Sequence, residues 1–212
     1  MKKLILLFAA LSLVSCSDDD SKNDDKYYVD QLIVEADNTI PVILSCGYND
    51  KKQMINIISS TGYTVAMSYE DNRLKTVMGT SVNYTLSYED GVLSSLTSGG
   101  ETTPVTYDKS TRKYVIQGTE IFLNQYGDIT KSNNVEMSYD VSKKGSISSL
   151  GTENNFMIGV LLDLSDVFTN RAITEFDSYQ LTNTYNSNGY VTKAVFSEGG
   201  PFTTITYSYK KL

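Results

Sequence analysis

The chain predicts a mainly β protein, a curved antiparallel meander of about 11–13 strands whose sheet is open or nearly closed, with one amphipathic helix packed on the concave face. Three observations carry that expectation. Tyr69, Tyr88, Tyr107 and Tyr126 follow one another at intervals of 19 residues, the mark of a repeated supersecondary unit. Within a unit such as Val82-Asn83-Tyr84-Thr85-Leu86-Ser87-Tyr88, apolar and polar residues alternate, so Val82, Tyr84, Leu86 and Tyr88 share one face of a strand. Acidic turn clusters such as Glu70-Asp71-Asn72 and Glu89-Asp90-Gly91 follow the tyrosines. Gly91 takes positive φ without a Cβ penalty and Asn72 tolerates it next best, so each cluster reads as a hairpin loop of three to five residues. A sheet this wide must curl, because neighbouring strands twist by about 20–25°.

Taken in order, residues 1–15 form a secretory signal. Lys2 and Lys3 supply the charged start and Leu4 to Val14 an apolar run too short to span a bilayer. The run ends in Leu13-Val14-Ser15-Cys16, which resembles the bacterial lipobox and implies acylation of Cys16. Ser17-Asp18-Asp19-Asp20 resembles the surface-export signal of Bacteroidetes lipoproteins. Residues 16–26 are charged, without apolar periodicity, and read as an acidic tether. Residues 27–212 form one domain. Tyr28 to Val34 and Pro41 to Cys46 are its first strands, and hairpin units run from Tyr48 to about Tyr139. The pattern breaks at about 145–171. There Phe156, Met157, Val160, Leu161, Leu164, Val167 and Phe168 recur at helical spacing, predicting a helix over about Asn154 to Thr169 capped from Thr152-Glu153-Asn154. Asp163, Ser165 and Asp166 lie off that stripe. Tyr179 to Tyr185, Tyr190 to Phe196 and Thr203 to Tyr209 are the last strands, joined by turns at Asn186-Ser187-Asn188-Gly189 and Glu198-Gly199-Gly200-Pro201.

Tyr88-Glu89-Asp90-Gly91-Val92-Leu93 and Tyr69-Glu70-Asp71-Asn72-Arg73-Leu74 resemble the YD repeat of RHS and teneurin shells. Together with the lipobox, the acidic start and the helical break, they resemble more closely a Bacteroides surface lipoprotein family of unknown function, the DUF4595 group. Asp108-Lys109-Ser110-Thr111 and Tyr126-Gly127-Asp128 depart from the repeat by lacking its turn glycine at the usual place. The resemblance transfers no catalytic residue.

Composition narrows the chemistry. With 18 basic and 25 acidic residues the formal net charge is −7, which argues against a nucleic-acid partner. The chain has no histidine, so it lacks Ser-His-Asp and Cys-His catalysis and His-ligated metal sites. No metal or cofactor site is expected. Cys46 reads as a buried strand residue, and Glu70, Asp71, Glu89, Asp90 and Asp108 as turn acids. The candidate ligand contacts are Tyr63, Tyr69, Tyr84, Tyr88, Tyr207 and Tyr209, set against a plain core role for the same stripe. The expected function is therefore a non-enzymatic lipoprotein, anchored in the outer membrane through Cys16, surface-exposed, and binding a glycan or protein partner. The alternative is a hydrolase using two carboxylates in the sheet's concavity. A porin-like membrane barrel is disfavoured, because the face opposite the tyrosines is Ser, Thr and Asn rather than an apolar band.

Overall fold

A computed structural model describes residues 26–151, 154–197, 199 and 203–212. The signal, Cys16, most of the tether, the Thr152-Glu153 part of the helix cap and most of the turn at 198–201 lie outside those residues. The strands are β1 (Tyr28–Glu35), β2 (Val42–Tyr48), β3 (Met54–Ser59), β4 (Thr64–Glu70), β5 (Arg73–Gly79), β6 (Asn83–Glu89), β7 (Val92–Ser98) and β8 (Glu101–Asp108). They continue as β9 (Lys113–Ile116), β10 (Thr119–Leu123), β11 (Ile129–Ser132), β12 (Val135–Lys144), β13 (Arg171–Phe176), β14 (Tyr179–Tyr185), β15 (Val191–Phe196) and β16 (Thr204–Lys210). One helix, α1 (Phe156–Leu162), lies between β12 and β13. Each strand pairs antiparallel with its sequence neighbours, and β1 pairs with β16, so the meander closes into a sixteen-stranded barrel.

The count exceeds the expected 11–13 because β9, β10 and β11 are only four or five residues long and give little alternation to read. The turns are also tighter than expected. Glu70 pairs with Arg73 and Glu89 with Val92, leaving two-residue loops, Asp71-Asn72 and Asp90-Gly91, in which both residues have positive φ. That is the type I′ hairpin, whose twist matches the flanking strands.

The repeat carries a bulge that simple alternation hides. Leu74 and Val77 are three residues apart, as are Leu93 and Leu96, yet all four are buried in the interior. The register slips between Ser68 and Tyr69 and between Ser87 and Tyr88, leaving Lys75 and Ser94 without opposite partners. One bulged residue restores the apolar phase and bends the strand. Each bulge also fixes a tyrosine. The hydroxyl of Tyr69 donates to the Met54 carbonyl oxygen at 2.8 Å, that of Tyr88 to Leu74 at 2.7 Å, and that of Tyr48 to Val29 at 2.7 Å. Tyr139 and Tyr209 repeat the contact with Ile129 and Val191. Each bond ties a strand to the one before it, at the start of that preceding strand. Replacing Tyr88 with Phe removes one such bond while keeping the ring. We expect a loss of about 1 kcal/mol, measured by urea unfolding.

The lumen is filled. Strand residues from around the ring, together with Ile147, Leu150, Phe156, Met157, Ile158, Val167 and Phe168, form one apolar core. The segment 145–170 reaches strands far apart on the ring. Gly151 accepts from Asn72 at the β4–β5 turn, Phe156 packs on Tyr114 of β9, and Ser149 bonds Tyr190 at the start of β15. It is a plug within the barrel. Its helix is shorter than the predicted Asn154 to Thr169, because the chain turns at Asp163, a left-handed cap (φ 55°), and folds back so that Ser165 abuts Gly159. That reversal places Asp166, off the apolar stripe in sequence, in the interior.

Outward positions are polar, as in exposed Thr64, Ser68 and Glu70 of β4 or Glu101, Thr106 and Asp108 of β8. Within the described strands the exposed large apolar residues are Ile43, Ile58, Met78, Val141 and Val195. Ile43 and Ile58 are diagonal neighbours on β2 and β3 and Met78 stands opposite Ala66 of β4, but none of the five lies on β6 to β11, so they do not ring the barrel.

Candidate functional site

The two rims of the barrel differ in their loops. At one rim the two type I′ turns stand side by side between longer loops, and the longer loops build a cleft. Three of them span five residues and begin with asparagine: 49–53, 124–128 and 186–190. In each, the Asn side-chain oxygen accepts the backbone N–H four residues on: Asn49 from Gln53 at 3.0 Å, Asn124 from Asp128 at 3.0 Å, Asn186 from Tyr190 at 3.1 Å. A side chain that satisfies backbone donors holds a loop open without strand pairing. The fourth loop, 109–112, is shaped by Asp108, which accepts the Ser110 N–H at 2.8 Å and the Ser110 and Thr111 hydroxyls at 2.7 and 2.9 Å. Those bonds stabilise the charged form and pull the Asp108 carboxyl down to about 2.

Between these loops and the plug lies a cavity of about 1410 Å³. Drug-sized ligand sites run to roughly 300–1000 Å³, so the cleft has room for an oligomer. Aromatic rings wall it: Tyr107, Tyr114, Tyr126, Tyr190 and Phe156. Tyr107 and Tyr114 stack at 4.4 Å between centroids, and Tyr114 leans on Phe156 at 5.2 Å. The hydroxyl of Tyr190 bonds Ser149 at 2.8 Å and accepts the Tyr27 N–H at 3.2 Å. Amides complete the lining, with Asn154 accepting from the Tyr114 hydroxyl at 3.3 Å.

A buried carboxylate aligns one wall. Asp128 is 3% exposed. Its Oδ1 accepts the backbone N–H groups of Asn170 and Arg171, and its Oδ2 an amide proton of Asn124. Burial pushes the Asp128 carboxyl up, while the Asn170, Arg171 and Asn124 donors oppose that shift. The consequence is positional. The Arg171 guanidinium is set 4.1 Å over the Tyr126 ring, a cation–π contact that holds both groups at the cleft wall.

None of the six tyrosines read from the sequence lines this cleft. The hydroxyls of Tyr69, Tyr88 and Tyr209 are tied to strand carbonyls. Tyr207 is 5% exposed and burial pushes its hydroxyl far above its ordinary value. Tyr63 and Tyr84 are half-buried against the core. The cleft instead takes Tyr107 and Tyr126, the periodic tyrosines whose units depart from the repeat at 108–111 and 126–128. Where the turn glycine is missing from its usual place, the loop lengthens and the ring faces the cleft. That departure was the sequence signal for the site.

Among the described residues no carboxylate side chain lines the cleft. The buried Cys46 thiol is also elsewhere, pushed up to about 12 by burial.

No family model matches the chain, and no curated protein matches it. Among solved structures, a porin-like protein from Bacteroides uniformis is similar with a TM-score of 0.49 at 14% identity, over 85% of this chain and 96% of that one.

Proposed function

We propose that this protein is a lipid-anchored, surface-exposed outer-membrane lipoprotein that works as a non-enzymatic binding module, taking a glycan in the rim cleft. The cleft carries the reading. It is large, open at the rim, walled by fixed tyrosine rings and edged with side-chain amides. Rings supply flat apolar faces for sugar C–H groups, and amides supply paired donors and acceptors for hydroxyls. A hydrolase acting there would need two facing carboxylates, and Asp128 and Asp166 are both buried outside the lining. The anchor rests on Leu13-Val14-Ser15-Cys16. The polar outward face supports a barrel standing beside the bilayer, since acyl chains would leave its Ser, Thr and Glu side chains without water.

The test is thermal unfolding of the purified chain against a panel of oligosaccharides. A ligand at 100 times its dissociation constant adds about 2.7 kcal/mol, or about 5–10 °C for a chain of this length. A shift of that order for one glycan class supports the module. A flat response across the panel removes it.

A further inference from the structure

The chain enters the barrel at the rim that holds the cleft. Lys26 lines the cleft, and β1 leads away from it toward the opposite rim. The entry is fixed to the cleft wall. The Tyr27 N–H donates to the Tyr190 hydroxyl at 3.2 Å, and the two rings meet edge-on with centroids 5.6 Å apart. Tyr190 in turn bonds Ser149 of the plug at 2.8 Å. From Cys16 to Lys26 there are ten residue steps, which span at most about 33–36 Å when fully extended. An anchor at Cys16 therefore keeps the mouth of the cleft within that distance of the lipid. An inverted molecule would need the same ten steps to run the height of the wall as well. Strands of seven or eight residues, tilted as in other barrels, stand about 16–22 Å tall before any loop is added. Inversion thus takes about half of the reach or more, and the upright molecule needs none of it.

We infer that the cleft opens toward the bilayer and that its ligand is the glycan headgroup of a lipid in that same membrane. The inference rests on the reading of an anchored glycan module and adds the source of the glycan. A mouth this close to the lipid is screened from long free polymers, whereas headgroup sugars already project into the gap. The cleft of about 1410 Å³ has room for such an oligomer. Protein and ligand then share one surface. Two partners held within tens of ångströms of each other meet at an effective concentration of about millimolar, so modest contacts with rings and amides suffice to fill the cleft.

The test has two arms, both on the acylated full chain in phosphatidylcholine vesicles. In the first, a donor dye is placed on Gln125→Cys at the cleft rim or on Ser81→Cys at the opposite rim, and a dye on lipid headgroups accepts the energy. Both positions are exposed and the native Cys46 thiol is buried, so the dye goes to the new thiol. We expect transfer to be about twofold or more stronger from Gln125→Cys, given the height of the wall between the rims, and to vanish from both when Cys16→Ala removes the anchor. Equal transfer, or stronger transfer from Ser81→Cys, would put the rim that carries Ile40, 88% exposed, against the lipid and overturn the inference. Transfer that survives Cys16→Ala removes the anchor reading, and this inference with it. In the second arm, thermal unfolding is followed in plain vesicles, in vesicles with added lipopolysaccharide, and in plain vesicles with the same polysaccharide freed from its lipid. We expect the lipid-borne form to raise the melting temperature by about 5 °C or more, the freed form at equal sugar concentration to raise it by about half of that or less, and Tyr126→Ala to abolish the gain. If both forms act equally, the membrane-borne assignment falls and the glycan module stands. If neither acts, the assignment falls, and the soluble panel decides the module on its own.

Discussion

Gly145→Ala is expected to destabilise the protein by about 3 kcal/mol, the upper end of the usual overpacking range. A Cβ at this buried position would stand 2.7 Å from the carbonyl oxygen of Arg171, closer still to that of Thr169, and 2.6 Å from the Thr169 hydroxyl. Both carbonyls are backbone and cannot rotate away. The two strands of the plug's neck meet here. Gly145 donates to Asn170 at 2.9 Å, Ile147 donates to Thr169 at 3.0 Å, and the Ser146 hydroxyl donates to Val167 at 2.7 Å. Moving one side by even half a methyl radius breaks the set. Because Asn170 and Arg171 also bind Asp128, the displacement reaches the cleft wall. Urea unfolding measures the loss directly. A change under about 1 kcal/mol would mean that the neck is more compliant than its contacts imply.

Asp166→Asn is expected to act in the opposite direction, stabilising the fold at neutral pH by about 2–3 kcal/mol. Burial among the plug residues raises the Asp166 carboxyl to about 6, its own backbone N–H opposes the rise, and Asp163 adds repulsion. Tyr139 and Tyr207, whose hydroxyls are themselves pushed up by burial, feel its charge. The sign follows from proton binding. In the unfolded chain this carboxyl loses its proton near pH 4, in the folded chain near 6. Between those values the folded state holds more protons, so stability falls as pH rises and levels off above the folded value. Asparagine keeps the shape and removes the charge. Denaturant unfolding at pH 4.5 and 7.5 should therefore show the natural protein losing stability over that interval relative to Asp166→Asn. Parallel profiles for the two proteins would show that the carboxyl titrates as it does in water.

The frame of the molecule was legible because its physics is local. Alternation, an Asp-Gly or Asp-Asn turn and a tyrosine every 19 residues each act within a few residues of themselves. The expected strand Pro41 to Cys46 is β2 (Val42–Tyr48), and the alternating stretch Val82 to Tyr88 is β6 (Asn83–Glu89). The strands that escaped were short, or obeyed a different rule. In β13, Ala172 and Ile173 are adjacent and both buried, so simple alternation fails there. The helix was over-read for a related reason. Leu164, Val167 and Phe168 continue the helical spacing, but they are apolar because the reversing chain is buried, not because it is helical. The cleft was the least legible part. Its lining comes from well-separated stretches of the chain, and nothing near Lys26 says that Arg112 will line the same cavity. What the sequence did show was irregularity, at Asp108-Lys109-Ser110-Thr111 and at Tyr126-Gly127-Asp128. In a repeat protein the imperfect copies are the ones released from the repeat's geometry, and here they shape the cleft.

Closure of the ring has a consequence for how the molecule is made. The β1–β16 seam joins Tyr28 to Lys210 and Glu35 to Thr204, so the first and last strands of the chain zip together. Every other seam in the barrel forms between sequence neighbours, and most of them can assemble early from local hairpins. This one waits for β16, and until it forms β1 and β15 each present an unpaired edge, a template for another chain. A seam of such long sequence separation carries a high loop-closure cost and slows the final step. The vulnerable species is thus an almost finished ring with its last strand not yet seated. The time it spends in that form, more than the depth of its final energy well, sets how much of the protein is lost to aggregation while it is being produced.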